Sequence, residues 1–190
     1  MGYEKLDTDE LLRLSLNAMN NGQDGDALVL LKTLVEREPS HPMGRYLLAA
    51  QHAQLGLMDK AEEGFRLVVA VAPDFFMARF QLGQLLLVQG NATESRGLLE
   101  PMTSRPDALG RYAAALVAAG QDDAGGAVAE LRAGLALPQE LPALASDMQR
   151  LLATLEGLGG QAQTAEAVAH VAPPAPIFLT GYGQVSTHDD

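Results

Sequence analysis

The sequence contains no cysteine and no tryptophan. The first absence excludes disulfides, thiolate catalysis and the sulfur ligands that most structural zinc sites use. Aromatic residues make up only 5% of a chain that is 47% apolar, an excess of Ala and Leu that suits closely packed helices better than a β-sandwich. Positive charge is scarce: 13 Lys and Arg stand against 24 Asp and Glu, for a net charge of −11 and a pI near 4.7. Without clustered Lys and Arg the chain has nothing to neutralise phosphates, so neither nucleic acid nor an anionic membrane surface is an expected partner. No 18-residue apolar run is present to span a bilayer, and no membrane insertion is expected. The start, MGYEKLDTDELL, lacks the basic stretch and apolar run of a secretory leader, and Leu6 stands where a myristoylation signal has Ser or Thr. These features predict an acidic, cytoplasmic protein.

Catalytic patterns are missing as well. The four histidines, His41, His52, His170 and His188, form neither HxxxH nor HExxH, and His52 falls on the buried side of a helix as a structural residue. There is no GxxxxGK[ST] phosphate loop and no GxSxG elbow. Gly181-Tyr182-Gly183 reads as a plain turn, and Asp122-Asp123 and Asp189-Asp190 as solvated charges. No set of convergent acid–base, nucleophilic or metal-binding groups stands out. The expectation is a protein that is not an enzyme and takes no cofactor or metal.

What the chain does contain is a repeat. From Pro42 to Phe75 it reads as two amphipathic helices hinged at Gly56, and this unit recurs at a spacing of about 34 residues in both directions. Gly22, Gly56 and Gly90 mark the turns, because a residue without Cβ enters the left-handed conformation that ends a helix. Leu14, Leu48 and Leu82 sit in the first helices. Ala27, Ala61 and Ser95, then Leu31, Phe65 and Leu99, then Leu34, Val68 and Met102 repeat in the second, and Pro39 and Pro73 close two units. Pro101 should shorten the sixth helix near Glu100. Gly120 follows Gly90 sooner than the period requires and reads as the fourth turn glycine, with one helical turn lost before it. Helices are then expected over 107–119, from Ala127 to Pro138, over Leu141–Leu155 and over Gln161–Val171.

A period of about 34 residues with these columns resembles the tetratricopeptide repeat, strongly from Thr8 to Asp107 and weakly from there to Ala172. The resemblance implies an all-α fold. It is a right-handed superhelical stack of antiparallel helix hairpins, about four repeats plus a degenerate fifth, over residues 1–172. First helices of such stacks line a concave groove that holds peptides or partner helices. Mapped onto this sequence, the groove positions are Leu12, Leu16, Met19 and Asn20; then Met43, Tyr46, Ala50, Ala53 and Gln54; then Met77, Phe80, Gln84, Leu87 and Val88. Family members that grip the carboxyl terminus of heat-shock proteins place basic residues there. Here Arg45 and Arg79 fall beside those positions, so that role is not expected. The surface so drawn is apolar, with adaptable methionines and aromatic anchors.

After Pro173 the character changes. Pro173, Pro174 and Pro176 stiffen a tail, 173–190, in which Ile177, Phe178, Leu179 and Tyr182 form an apolar run with two readings: it docks on the array, in its own chain or a neighbour, or it becomes ordered only on meeting a partner. Two functions remain. One is an adaptor or chaperone-like module, similar to small bacterial proteins of this repeat class, binding an apolar peptide or helix of a protein partner. The other is a self-assembling structural protein, a homo-oligomer whose groove is filled by its tail or another copy. Both require a far-ultraviolet circular dichroism spectrum dominated by helix; substantial β signal would exclude the repeat reading altogether.

Overall fold

A computed structural model describes residues 5–157 together with 167 and 168. The described chain is built from nine helices with no strand: α1 (Thr8–Asn20), α2 (Asp24–Arg37), α3 (Pro42–Gln54), α4 (Met58–Val71), α5 (Phe76–Val88), α6 (Ala92–Leu99), α7 (Ala108–Ala119), α8 (Ala124–Leu135) and α9 (Pro142–Gly157). Consecutive helices pack as pairs, α1 on α2, α3 on α4, α5 on α6 and α7 on α8, and each pair leans on the next. Of the helix expected over Gln161–Val171, only Ala167 and Val168 lie among the described residues. Both are helical and buried in the common core.

Local chemistry explains where the helices begin. Asp7 caps α1 through a reciprocal pair, its Oδ1 accepting from the Glu10 N–H at 2.8 Å while Glu10 Oε2 accepts from the Asp7 N–H at 2.8 Å. Pro42 occupies the first turn of α3, where a missing N–H costs nothing, and His41 Nδ1 accepts from the Gly44 N–H at 3.0 Å. Asp107 and Asp123 cap α7 and α8 in the same way, accepting from Gly110 and Gly126.

The turns between paired helices share one hydrogen-bond pattern. Gly22, Gly56 and Gly90 have φ of 66°, 73° and 83°. At the third, the Gly90 N–H donates to the Leu87 carbonyl at 3.0 Å and the Asn91 N–H to Leu86 at 2.8 Å. In the fourth pair the same two bonds are made by Asp122 to Ala119 (3.1 Å) and Asp123 to Ala118 (3.0 Å). The residue at positive φ is Asp122 (59°), whereas Gly120 closes α7 at −69°. The expected turn at Gly120 is therefore displaced. The structural equivalent of Gly90 is Asp122, because a short polar side chain tolerates the left-handed region that glycine usually fills. The period loses about half a helical turn there rather than a whole one.

Pro101 accounts for the loss. α6 stops at Leu99 and continues as one 3-10 turn, Glu100–Met102, which buries Met102. Further on, α8 ends at Leu135, short of the expected Pro138. The residue before a proline disfavours helix. The Gln139 amide also satisfies terminal carbonyls, donating to Gly134 at 2.9 Å and Leu137 at 2.6 Å.

Glycines set the spacing between helices. A Cβ on Gly64 of α4 would stand 2.7 Å from the Ala49 Cβ and 3.3 Å from its Cα, whereas one on Gly97 of α6 would meet nothing within 4 Å. Gly97→Ala is thus expected to raise unfolding free energy by about 0.5–1 kcal/mol through helix propensity. Gly64→Ala gains the same preference but must push α3 and α4 apart, at about 1–3 kcal/mol. Urea denaturation should find it less stable than the parent; equal gains would mean that α3 and α4 do not meet as described.

Candidate functional site

The sequence-derived groove residues do not all end on a surface. Tyr46 and Phe80 are wholly buried, and Met19, Gln84 and Leu87 nearly so. Met77 is buried at the edge of a cleft, Leu12, Leu16 and Met43 are half-buried, and Gln54 is exposed. Tyr46 packs against Phe65 of its own pair, with ring centroids 5.7 Å apart, and edge-on to Phe75 at 5.1 Å. The two aromatics expected as partner anchors are buried in the core, Tyr46 enclosed by its contacts with Phe65 and Phe75. Ile177, Phe178, Leu179 and Tyr182 lie outside the described residues.

The open apolar site is elsewhere. The N-terminal ends of α5, α7 and α9 converge on a cleft of about 290 Å³. α5 and the residue before it contribute Phe75, Phe76 and Met77; α7 contributes Leu109 and Tyr112; Leu141 and Leu144 come from the start of α9. Four charged residues also line it, Asp74 and Glu140 exposed and Arg105 and Asp107 half-buried.

Three devices hold this shape. The Arg105 guanidinium lies over the Phe76 ring, 4.3 Å from its centroid, a cation–π contact that orients the ring. The same guanidinium pairs with Asp107, Nε to Oδ1 at 3.2 Å with a second bond to Oδ2. Those bonds to Arg105, with the Gly110 N–H, keep the Asp107 carboxyl below the usual carboxylate range. Gly110 is required there, since a Cβ would lie 2.4 Å from the Arg105 carbonyl oxygen. At the back wall the Tyr112 hydroxyl donates to Gln139 Oε1 at 2.7 Å, and burial pushes the phenol above its ordinary pKa.

Sequence reasoning missed this cleft because its walls come from three helices that are far apart in the chain. Phe75, Phe76 and Leu109 were visible only as apolar residues near helix starts. Arg45 and Arg79, by contrast, have a shared structural task. Each donates to the carbonyl of the proline that closes the preceding unit, Arg79 to Pro73 at 2.9 Å and Arg45 to Pro39, tying the closing turn to the next helix. His52 is half-buried rather than enclosed, and lines a second hollow with Leu48, Lys60 and Gly64. Burial first, then Lys60 and Lys32, lower its pKa, so it is neutral at physiological pH. Among the described residues no three His, Cys, Asp or Glu side chains cluster to hold a metal ion, and no described helix is long and apolar enough to cross a membrane.

Solved structures with the same arrangement identify it. TTC0263, a thermophilic TPR protein of Thermus thermophilus, superposes with a TM-score of 0.63 at 24% identity, over 91% of this chain and 95% of that one. This chain has the tetratricopeptide-repeat fold. MamA of Desulfovibrio magneticus RS-1 gives 0.58 at 23% identity, over 87% of this chain and 93% of that one. The TPR domain of P58(IPK) gives 0.51 at 22% identity, over 87% of this chain and 51% of that one. No protein-family model matches the sequence, and no curated protein matches it significantly. In this tetratricopeptide array the helix pairs are the repeats, and the cleft lies where the third, fourth and fifth first helices begin.

Because both rings are enclosed, Tyr46→Ala and Phe80→Ala should each cost about 3–5 kcal/mol of stability, the usual range for truncating a buried aromatic. Phe76→Ala, at a half-buried position, should cost far less. Denaturant titration of the three variants checks this order.

Proposed function

We propose that the protein is an interaction module, an adaptor or chaperone-like binder, whose cleft at the starts of α5, α7 and α9 receives an apolar side chain from a partner segment. The observation that carries this reading is the cleft itself: an open apolar hollow with aromatic walls held in place by Arg105, Gly110 and Gln139. Its volume of about 290 Å³ is enough to take one or two side chains. Aromatic and Met walls at a concave site favour an inserted Leu, Phe or Met anchor.

Electrostatics gives the partner a sign. Arg105 is occupied by Asp107, leaving Asp74 and Glu140 as the acidic groups at the mouth of a chain with net charge −11. A segment with Lys or Arg beside its apolar anchor is favoured over an acidic one, mostly through association rate. The reading assigns the chain no catalytic step and a cytoplasmic setting.

Selection from a random peptide display library tests the reading without knowledge of the natural partner. Recovered peptides should share one large apolar residue flanked by Lys or Arg. Leu109→Glu, which puts a carboxylate into the cleft from a half-buried position, should weaken them at least tenfold while leaving helicity intact. Recovery of no consensus, or a consensus that binds Leu109→Glu equally well, would reject the cleft as the site.

A further inference from the structure

Positive charge is scarce in this chain, and most of it is already paired. Arg66, Arg96, Arg105, Arg111, Arg132 and Arg150 are each bound to a carboxylate. Lys32, Arg45 and Lys60 are not. Among the described residues none of the three forms an ion pair, although the protein carries 24 Asp and Glu. They gather at one place. Arg45 and Lys60 line the hollow between α3 and α4, of about 230 Å³, and Lys32 of α2 is near enough to His52 on its wall to lower the imidazole pKa. The rest of that wall is apolar, with Leu48 half-buried and Leu67 exposed by 41%, and Glu63 is the single acidic residue lining it. Apolar surface continues into the neighbouring unit. Helices α1 and α2 match α3 and α4 residue for residue at a spacing of 34, so Leu14 and Val29 hold the places of Leu48 and Glu63. Both are open to water, at 41% and 49%.

We propose that this hollow is a second binding site and takes an acidic peptide segment, with an aliphatic side chain against Leu48 and Leu67 and carboxylates facing Lys32, Arg45 and Lys60. Charge complementarity sets the sign of the occupant. The net charge of −11 repels an acidic segment at long range. Screening at physiological salt acts over about 8 Å, so the distant carboxylates fade while the cations at the hollow are felt in full. The apolar wall sets the kind of occupant. A bare inorganic anion would leave Leu48 and Leu67 in contact with nothing, whereas a Leu or Ile side chain covers them and gains from burial. His52 then becomes a reporter. Facing it are Lys32 from α2, Arg45 on its own helix, and Lys60 and Glu63 from α4. A carboxylate bound beside it favours the imidazolium, so its pKa rises on binding and affinity grows as pH falls through the His52 titration. The site is opposite in sign to the cleft and stands apart from it: loss of peptide binding in Leu109→Glu leaves it untouched.

Nuclear magnetic resonance titration of the full-length protein tests this with a short amidated peptide of leucines set among glutamates. Matched controls replace its glutamates by lysine or its leucines by serine, and inorganic phosphate is a further probe. The glutamate–leucine peptide should shift the Leu48 and Leu67 methyl signals saturably and raise the His52 pKa. Lys32→Gln with Lys60→Gln, both at exposed positions, should weaken it roughly tenfold with helicity retained, as the loss of two exposed charge contacts allows. His52→Gln should keep the binding and lose its pH dependence. No saturable shift at these methyls, or equal affinity in the double variant, would overturn the proposal. So would a lysine peptide that binds as well as the glutamate one. Equal shifts from phosphate or from the serine peptide would overturn it in favour of a simple anion site. Shifts that grow with protein concentration and need no peptide would overturn it in favour of a second copy as the occupant.

Discussion

The third and fourth helix pairs each depend on a contact in which a residue without bulk admits a large neighbour. Gly83 of α5 faces the Leu99 side chain so closely that a Cβ would lie 2.6 Å from it, and Gly134 of α8 faces the Tyr112 ring at the same distance. Between units, Gly44 of α3 receives Leu34 of α2. These approaches let Leu34, Leu99 and Tyr112 become wholly or almost wholly buried, each such side chain contributing roughly 1.5–3 kcal/mol. Ala27, Ala61, Ser95 and Ala127 are small buried residues near the starts of the second helices, and Ser95 donates its hydroxyl to the Gly83 carbonyl at 2.7 Å. In a stack where every unit touches only its neighbours, an error at one such contact is not diluted by the rest of the core.

Charged pairs link neighbouring helices above this core, some within a unit and some between units. Arg66 of α4 binds Glu62 and reaches Glu94 of α6, Arg111 of α7 meets Glu130 of α8, and Arg132 of α8 meets Glu156 of α9 at 2.7 Å. These groups are largely exposed, so the pairs add little stability and are screened by salt. Their placement is the more telling point. In a chain so rich in acid, Arg66, Arg111 and Arg132 are positioned to pair with carboxylates of a different helix.

The fold was legible because its determinants are local. A turn glycine, a small residue facing a large one and a closing proline each act within one hairpin, so their regular recurrence carries through to the structure. Pro101 was equally readable, since the loss of a helix hydrogen bond is a property of the residue itself. Asp122 was not, because any of several short polar residues can take a left-handed turn and only the hydrogen bonds reveal which one did. The site was the least legible. Burial of Tyr46 depends on Phe65 and Phe75 from two other parts of the chain, and the cleft depends on three helix starts meeting. Periodicity ranks positions on a helix face but does not say whether that face meets water.

The bond from Tyr112 to Gln139 joins two things that are otherwise separate. Its phenol forms the back of the cleft, while the Gln139 amide terminates α8 and sets the path into α9. Oε1 of Gln139 faces the cleft while its Nε2 serves the end of α8, so one amide side chain holds both, and a substitution at Gln139 disturbs the two together.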